Sequence, residues 1–368
     1  MKILLVGDYS NVHATLGAGL RKLGHKVTVA SDGDGWKNYP RDIDLQRQSM
    51  GKFYSLRYLW RLEKLFRQLR GYDVVQLIGP DFLPLKAERI LHFYNMLRKN
   101  NGSVFLGAFG MDRYYIEACL DCKTFRYSDF NFNQQIRHSE ENDRFIADWL
   151  KGAKGKVNEY IAKDCNGIVA GLYEYYAAYQ KVFPQKLTFI PFPVVPDHET
   201  EVKDSIVKGS PIRFFIGLMR DRMAYKGTDI MLKALLRAQE RYGNKMVIQQ
   251  VENVPFAQYQ QMLLESDVLL DQLYSYTPAM NALEAMAHGL VVVGGGEPEN
   301  YAILREENLR PIINVEPNEE HVYQALCMLI ENSHNIPELQ RQSKEYICRH
   351  HDYLKVAQRY INYWSSRL

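Results

Sequence analysis

Residues 276–296 read Tyr-Thr-Pro-Ala-Met-Asn-Ala-Leu-Glu-Ala-Met-Ala-His-Gly-Leu-Val-Val-Val-Gly-Gly-Gly. Thr277 and Pro278 signal a turn that opens a short helix carrying Glu284. Gly289 ends that helix as a left-handed cap. The apolar run 290–293 reads as a buried strand, and glycines 294–296 follow it. Such a unit points backbone N–H groups of the helix start at an anion and holds one carboxylate a short way down the helix. A phosphate favours the first position, and the carboxylate can chelate a ribose diol.

The chain has 368 residues, which is long for one ordinary domain, so two are expected. With 46% hydrophobic residues it can build real cores. The formal net charge of +3 demands no nucleic-acid partner. The opening Met-Lys-Ile-Leu-Leu-Val-Gly-Asp reads as a buried strand, not a signal peptide. No stretch approaches the roughly 18 apolar residues of a membrane span. Five scattered cysteines, an odd number, read as reduced thiols and a cytoplasmic protein.

Strand-like runs alternate with amphipathic helical runs, the signature of α/β with parallel sheets. Strands are expected at 3–6, 27–30, 74–78, 104–106, 167–170 and 188–190. Ser10 or Asn11 would cap a helix running to residue 23, with Gly24 as its stop. Residues 196–209 are polar and aperiodic and read as a linker. A second series follows, with strands at 212–216, 246–249, 268–270 and 291–293 and helices at 229–241 and 256–264. A last helical stretch covers 337–368. Two such halves predict two Rossmann-like domains facing a cleft, with ligands at the carboxyl ends of the strands.

Glu284-Ala285-Met286-Ala287 with Gly289 resembles the nucleotide-sugar motif of the family 4 glycosyltransferases, of GT-B architecture. Gly24-His25-Lys26-Val27 and Ile190-Pro191-Phe192-Pro193-Val194 match further family positions in order. The resemblance implies an N-terminal domain over 1–195, the linker 196–209, a nucleotide-sugar domain over 210–345, and a C-terminal helix, 346–368, crossing back to the first domain. It also implies a nucleoside-diphosphate-sugar donor, a glycan acceptor (lipid-linked surface polysaccharide is one such acceptor), retention of anomeric configuration, no cofactor and no metal. One position departs: where the family has a second Glu, this chain has Tyr276.

A diphosphate leaving group in a metal-free site needs fixed cations. Residues 217–227, Gly-Leu-Met-Arg-Asp-Arg-Met-Ala-Tyr-Lys-Gly, follow a strand and supply them. Lys226-Gly227 matches the family's Lys-Gly after Gly217. Leu218 stands where the family has Arg, so that role falls to Arg220 or Arg222, with Arg220 as first choice. By resemblance Glu284 binds the ribose. Asn281 and Ala282 lie in the first helical turn, where N–H groups face a phosphate. Tyr276 would lie on the sugar, with a neutral phenol in place of a carboxylate.

On the N-terminal side, Gly7, Ser10, Asn11 and His13 lie in the turn after the first strand and read as a phosphate or acceptor loop. Asp112, after the strand at 104–106, is the candidate for an active-site polar residue. Asp32–Asp34 and Asp42–Asp44 spell Asp-x-Asp, which metal-dependent transferases of another fold use; both read as loop chemistry. Cys119–Cys122 lacks a second ligand pair at zinc spacing. In residues 52–70, Lys52, Arg57, Arg61, Lys64, Arg67 and Arg70 interleave with Phe53, Leu56, Leu59, Trp60, Leu62, Phe66 and Leu69. This is either a helix packed on the first sheet with a solvated basic rim or a peripheral contact with an anionic membrane. The expected activity is glycosyl transfer. The alternatives are a nucleotide-sugar epimerase on the same scaffold, or a nucleotide-sugar-binding protein of weak activity.

Overall fold

The computed structural model describes residues 1–49, 51–199 and 210–368; positions 200–209 of the expected linker lie outside the described residues. In chain order the strands are β1 Lys2–Val6, β2 Lys26–Ser31, β3 Ile43–Asp44, β4 Val74–Leu77, β5 Ser103–Ala108, β6 Asn131–Phe132, β7 Gln135–Ile136, β8 Gly167–Ala170, β9 Leu187–Phe189, β10 Ile212–Leu218, β11 Met246–Glu252, β12 Val268–Leu270, β13 Val291–Gly294 and β14 Ile312–Asn314. Two compact units form. The first comprises Met1–Thr124, His138–Pro193 and Tyr353–Leu368, and the second Phe125–Arg137 and Val194–Asp352.

The first unit holds a parallel sheet in the order β3-β2-β1-β4-β5-β8-β9. Its central strands β4 and β5 are buried along their whole length, so they read as continuous apolar runs without alternation. Gln76 in β4 is the buried exception, and its Oε1 accepts the indole N–H of Trp364 at 3.4 Å. Trp364 lies on helix Tyr353–Ser365, which buries Val356, Ala357, Tyr360 and Trp364 at helical spacing. That helix packs on helix Val12–Lys22. Gly19 makes the approach possible: a Cβ there would sit 2.6 Å from the Tyr353 carbonyl oxygen.

The expected cap of the first helix is corrected. Ser10 and Asn11 take left-handed backbone angles (φ 48° and 70°) and turn the chain. Asp8 does the capping: its Oδ1 accepts the His13 N–H at 2.9 Å and its Oδ2 the Ala14 N–H at 3.1 Å.

The second unit holds a parallel sheet in the order β11-β10-β12-β13-β14. Phe214, Ile216, Val268, Leu270, Val291 and Val293 form its buried centre. Helix Thr228–Tyr242 contributes Met231, Ala234, Leu235 and Ala238 to that core, and helix Glu319–Glu331 contributes Val322, Ala325, Leu326 and Leu329. Both sets repeat at i, i+3, i+4, i+7, one apolar stripe per helix. The antiparallel pair β6–β7 groups with this unit although it falls within the first half of the chain.

Removing the Trp364 side chain would open a cavity beneath β4. Trp364→Ala is expected to destabilise the protein by about 3–5 kcal/mol, and Trp364→Phe by less, in denaturant unfolding of the full chain.

Candidate functional site

The strand order of the second sheet reverses between β10 and β12. In a parallel α/β sheet a crevice forms at such a point, at the carboxyl ends of the strands. The loop after β10, residues 219–227, and the loop after β12, residues 271–279, both leave from that edge. Gly227 has φ +76°, and a Cβ on it would lie 2.9 Å from Leu273 Cβ. The Leu273 N–H donates to the Lys226 carbonyl at 2.9 Å, so the two loops are tied at Lys226.

Helix Met280–Ala287 starts just beyond, ends at His288 and is followed by Gly289 at φ +82°. Asn281 donates from Nδ2 to Asp271 Oδ1 at 3.2 Å and accepts the Tyr259 hydroxyl at 2.9 Å. Burial pushes the Asp271 carboxyl above the usual range, and the charge of Lys226 opposes the shift. Burial also raises the Tyr259 phenol, with the charges of Asp271 and Glu284 adding to it. Gly217 keeps the Tyr259 ring close, since a Cβ would meet it at 3.0 Å. Gly217, Lys226, Asn281 and Glu284 are thus assembled around Tyr259 and Asp271. Asn281 and Glu284 are three residues apart and share a helix face. Ala282, in the same first turn, is buried and brings no side-chain group to the site. One cation, a helix start and a half-buried carboxylate together suit a phosphorylated ligand with adjacent hydroxyls.

Arg220 and Arg222 differ. The Arg220 side chain is 80% exposed and pairs with Glu252 at 2.5 Å. Arg222 is half-buried, with its guanidinium 5.0 Å from the Tyr225 ring centre.

Tyr276 needs a correction. Its ring is 2% exposed, and its hydroxyl accepts the Arg126 backbone N–H at 2.6 Å. The Arg126 guanidinium lies 4.8 Å from the ring, and Tyr127 and Phe125 pack at 5.0 and 5.7 Å. Arg126 also pairs with Glu297 at 2.6 Å and with Glu299. Glu297 further accepts from Tyr127 and from Asn314, the latter at 3.0 Å, and its N–H donates to the Tyr276 carbonyl at 3.0 Å. Tyr276 therefore anchors the segment carrying β6 and β7, and its side chain is closed in by that segment. The glycine run serves the same packing: a Cβ on Gly295 would sit 2.3 Å from the Ser275 carbonyl oxygen.

In the first unit, Gly7 takes φ +79°, and a Cβ there would strike Ile78 at 2.3 Å. The His13 Nδ1 lies 2.7 Å from the Gly7 carbonyl, which can only accept, so Nδ1 carries the proton. Burial holds this imidazole neutral, with its pKa pushed down to about 3. Ser10 donates its N–H to Asp34 at 3.0 Å, and its Oγ accepts from Lys37 at 3.2 Å. Asn11 is half-exposed beside it. Asp112 is a second correction. It is fully buried and caps helix Arg113–Leu120, accepting the Tyr115 N–H at 2.9 Å and the Tyr179 hydroxyl at 2.7 Å. It has no exposed edge for a substrate.

Tyr259, Asp271, Arg126 and Glu297 escaped the sequence reading. Asp271 alone carried a signal, an acid placed directly after the apolar run 268–270.

No family model matches the chain, and no curated protein matches it in sequence. Solved structures do match. Sucrose-phosphate synthase from Thermosynechococcus elongatus aligns at 13% identity and TM-score 0.64, over 100% of this chain and 99% of that one. Anabaena HepE, solved in complex with UDP-glucose, aligns at 12% and 0.60 over all of both chains. WaaG, a glycosyltransferase involved in lipopolysaccharide biosynthesis, aligns at 12% and 0.55, over 98% of this chain and 99% of that one. At such identities the likeness shows the fold, which is that of the GT-B glycosyltransferases, with two Rossmann-like units.

Burial pushes the Asp112 carboxyl up to about 7 from an ordinary 3.8. A folded-state pKa raised in this way favours the protonated form. Its contribution to stability is full below the ordinary value and is lost as pH rises through about 7. Asp112→Asn keeps an uncharged cap. It is expected to flatten the fall in melting temperature between about pH 4 and pH 8 and to leave the variant at least as stable as wild type at the upper end.

Proposed function

We propose that this protein is a glycosyltransferase resembling family 4, transferring a sugar from a nucleoside-diphosphate sugar to a glycan acceptor. The observation that carries the reading is the grouping of Lys226, Asn281 and Glu284 around Tyr259 and Asp271 at the carboxyl edge of the second sheet. The diphosphate lies at the start of helix Met280–Ala287, over the N–H groups of Asn281 and Ala282, with Lys226 beside it. Glu284, one turn on, takes the ribose hydroxyls. Arg222 is the better second cation, because Arg220 is held outward by Glu252.

The acceptor hydroxyl attacks the anomeric carbon on the face the diphosphate leaves. The bond from that carbon to the phosphate oxygen breaks, and the acceptor proton passes to the departing phosphate. Anomeric configuration is retained, and neither a dedicated base nor a metal is needed. Negative charge on the phosphate peaks in the transition state, where Lys226 and the helix start stabilise it most. The acceptor is a surface glycan, and the protein works in the cytoplasm. On the first unit only Ser10 and Asn11 of the proposed acceptor loop reach the surface; Gly7 and His13 are buried and shape the turn that presents them.

UDP-glucose is the first donor to try, followed by other nucleotide sugars in a thermal-shift panel. Glu284→Ala is expected to weaken donor binding by about 1–3 kcal/mol in calorimetry; unchanged affinity in a folded variant would remove Glu284 from the ribose. Release of an epimerised sugar in place of a transferred one would mark the protein as an epimerase.

Lys226→Ala is expected to lower kcat by a larger factor than it raises the donor KM, and Arg222→Ala to behave like it. A crippled Arg220→Ala with a silent Arg222→Ala would return the second cation to Arg220. Transfer is expected to continue in EDTA; loss restored by manganese or magnesium would overturn the metal-free mechanism.

A further inference from the structure

Residues 52–70 form helix Lys52–Phe66 and the turn after it, and the helix carries apolar residues on two faces. The inner face is Tyr58, Leu62 and Phe66, spaced by four and buried. Phe66 packs on Phe93 at 4.7 Å between ring centres, and the Tyr58 hydroxyl donates to the Leu45 carbonyl at 2.7 Å. This face satisfies the packed-helix reading. The outer face is Phe53, Leu56 and Trp60, which are 74%, 70% and 67% exposed. Positions 53, 56, 57, 60, 64 and 67 follow helical spacing, so these three share a stripe with Arg57, Lys64 and Arg67.

Packing needs one apolar stripe; a second one, facing water, marks a surface that something covers. Charge says what. Residues 52–70 hold six basic residues and only Glu63 as an acid, while the whole chain sums to +3. Glu63 is engaged by Arg67 at 3.0 Å and by His92 at 2.8 Å. Arg61 reaches the carbonyls of Asp44 and Gln46, which leaves its charge uncompensated. Lys64 lies 5.8 Å from the Trp60 ring centre, as an interfacial cation would. Two copies of this stripe would repel each other. An anionic lipid surface offers what the stripe lacks: apolar depth for three large side chains and negative charge around them. Among the described residues no helix is long and apolar enough to cross a membrane, so the contact is peripheral.

We infer that the outer stripe Phe53–Leu56–Trp60, with Arg57 and Lys64, docks the protein on an anionic bilayer, the helix lying in the plane of the interface. The inference stands apart from the donor site.

The full purified chain is expected to sediment with mixed phosphatidylglycerol–phosphatidylcholine vesicles at low salt, much less at high salt, and hardly at all with phosphatidylcholine alone. Arg57→Gln with Lys64→Gln should weaken binding about twenty-five-fold, about fivefold for each charge removed. Phe53→Ser, Leu56→Ser and Trp60→Ser together should abolish stable binding; all three side chains face solvent, so folding is spared, which circular dichroism checks. Brominated lipid should quench the wild-type tryptophan emission, and Trp60→Phe should remove most of that quenching. The inference fails if no anionic vesicle is bound at low salt, if neutral vesicles bind equally, or if the triple serine variant binds like wild type. It fails equally if the stripe's substitution dissolves a dimer in ultracentrifugation while lipid is ignored.

Discussion

The Leu273 N–H donates to the Lys226 carbonyl at 2.9 Å, and that bond fixes the geometry of the second unit's carboxyl edge. It ties the loop after β10 to the loop after β12, across the point where the strand order reverses. Gly227 makes it possible by taking a left-handed backbone and leaving no Cβ against Leu273. Once the loops are joined, Lys226 stands near Asp271, Asp271 accepts from Asn281, and Asn281 accepts from Tyr259. A charge placed by this chain of contacts cannot drift far, which is what preorganised stabilisation of a phosphate requires.

The parts of this arrangement visible in the sequence are those set by local chemistry. Pro278, Gly289 and the run 290–293 gave the helix and the strand after it, because turns, left-handed caps and buried runs depend on neighbouring residues. The same locality misled at Asp112, whose place after a strand looked functional until its partners Tyr115 and Tyr179 appeared. Ser10 and Asn11 looked like caps because of their residue type. The cap comes instead from Asp8, which reaches the helix across a turn in which Ser10 and Asn11 take positive φ. Tyr259 could not be found at all: its role depends on Gly217 and Asn281, distant in sequence and close in the fold.

Tyr276 shows the difference between a motif position and a motif function. In the resemblance that position faces sugar. Here it is closed over by Arg126 and Tyr127, and the acids Glu297 and Glu299 both pair with the same arginine. Tyr276, Tyr127 and Glu297 are buried under an exposed Arg126, and removing the arginine would leave the buried Glu297 carboxylate without its cation. The segment from Phe125 to Arg137 is therefore bound tightly into the second unit, and the walls about Glu297 are set by residues far upstream.

That segment has a bearing on how the chain is made. The peptide carrying β6 and β7 leaves the ribosome well before the rest of the unit it packs with. The first unit in turn lacks helix Tyr353–Ser365 until the second has been synthesised. Neither unit is a continuous stretch of polypeptide: the second is complete only at Asp352, and the first only when Tyr353–Leu368 has followed it. The nascent chain must hold the first core open until its last helix emerges, and a cut between the halves would leave each fragment without a piece of its own unit.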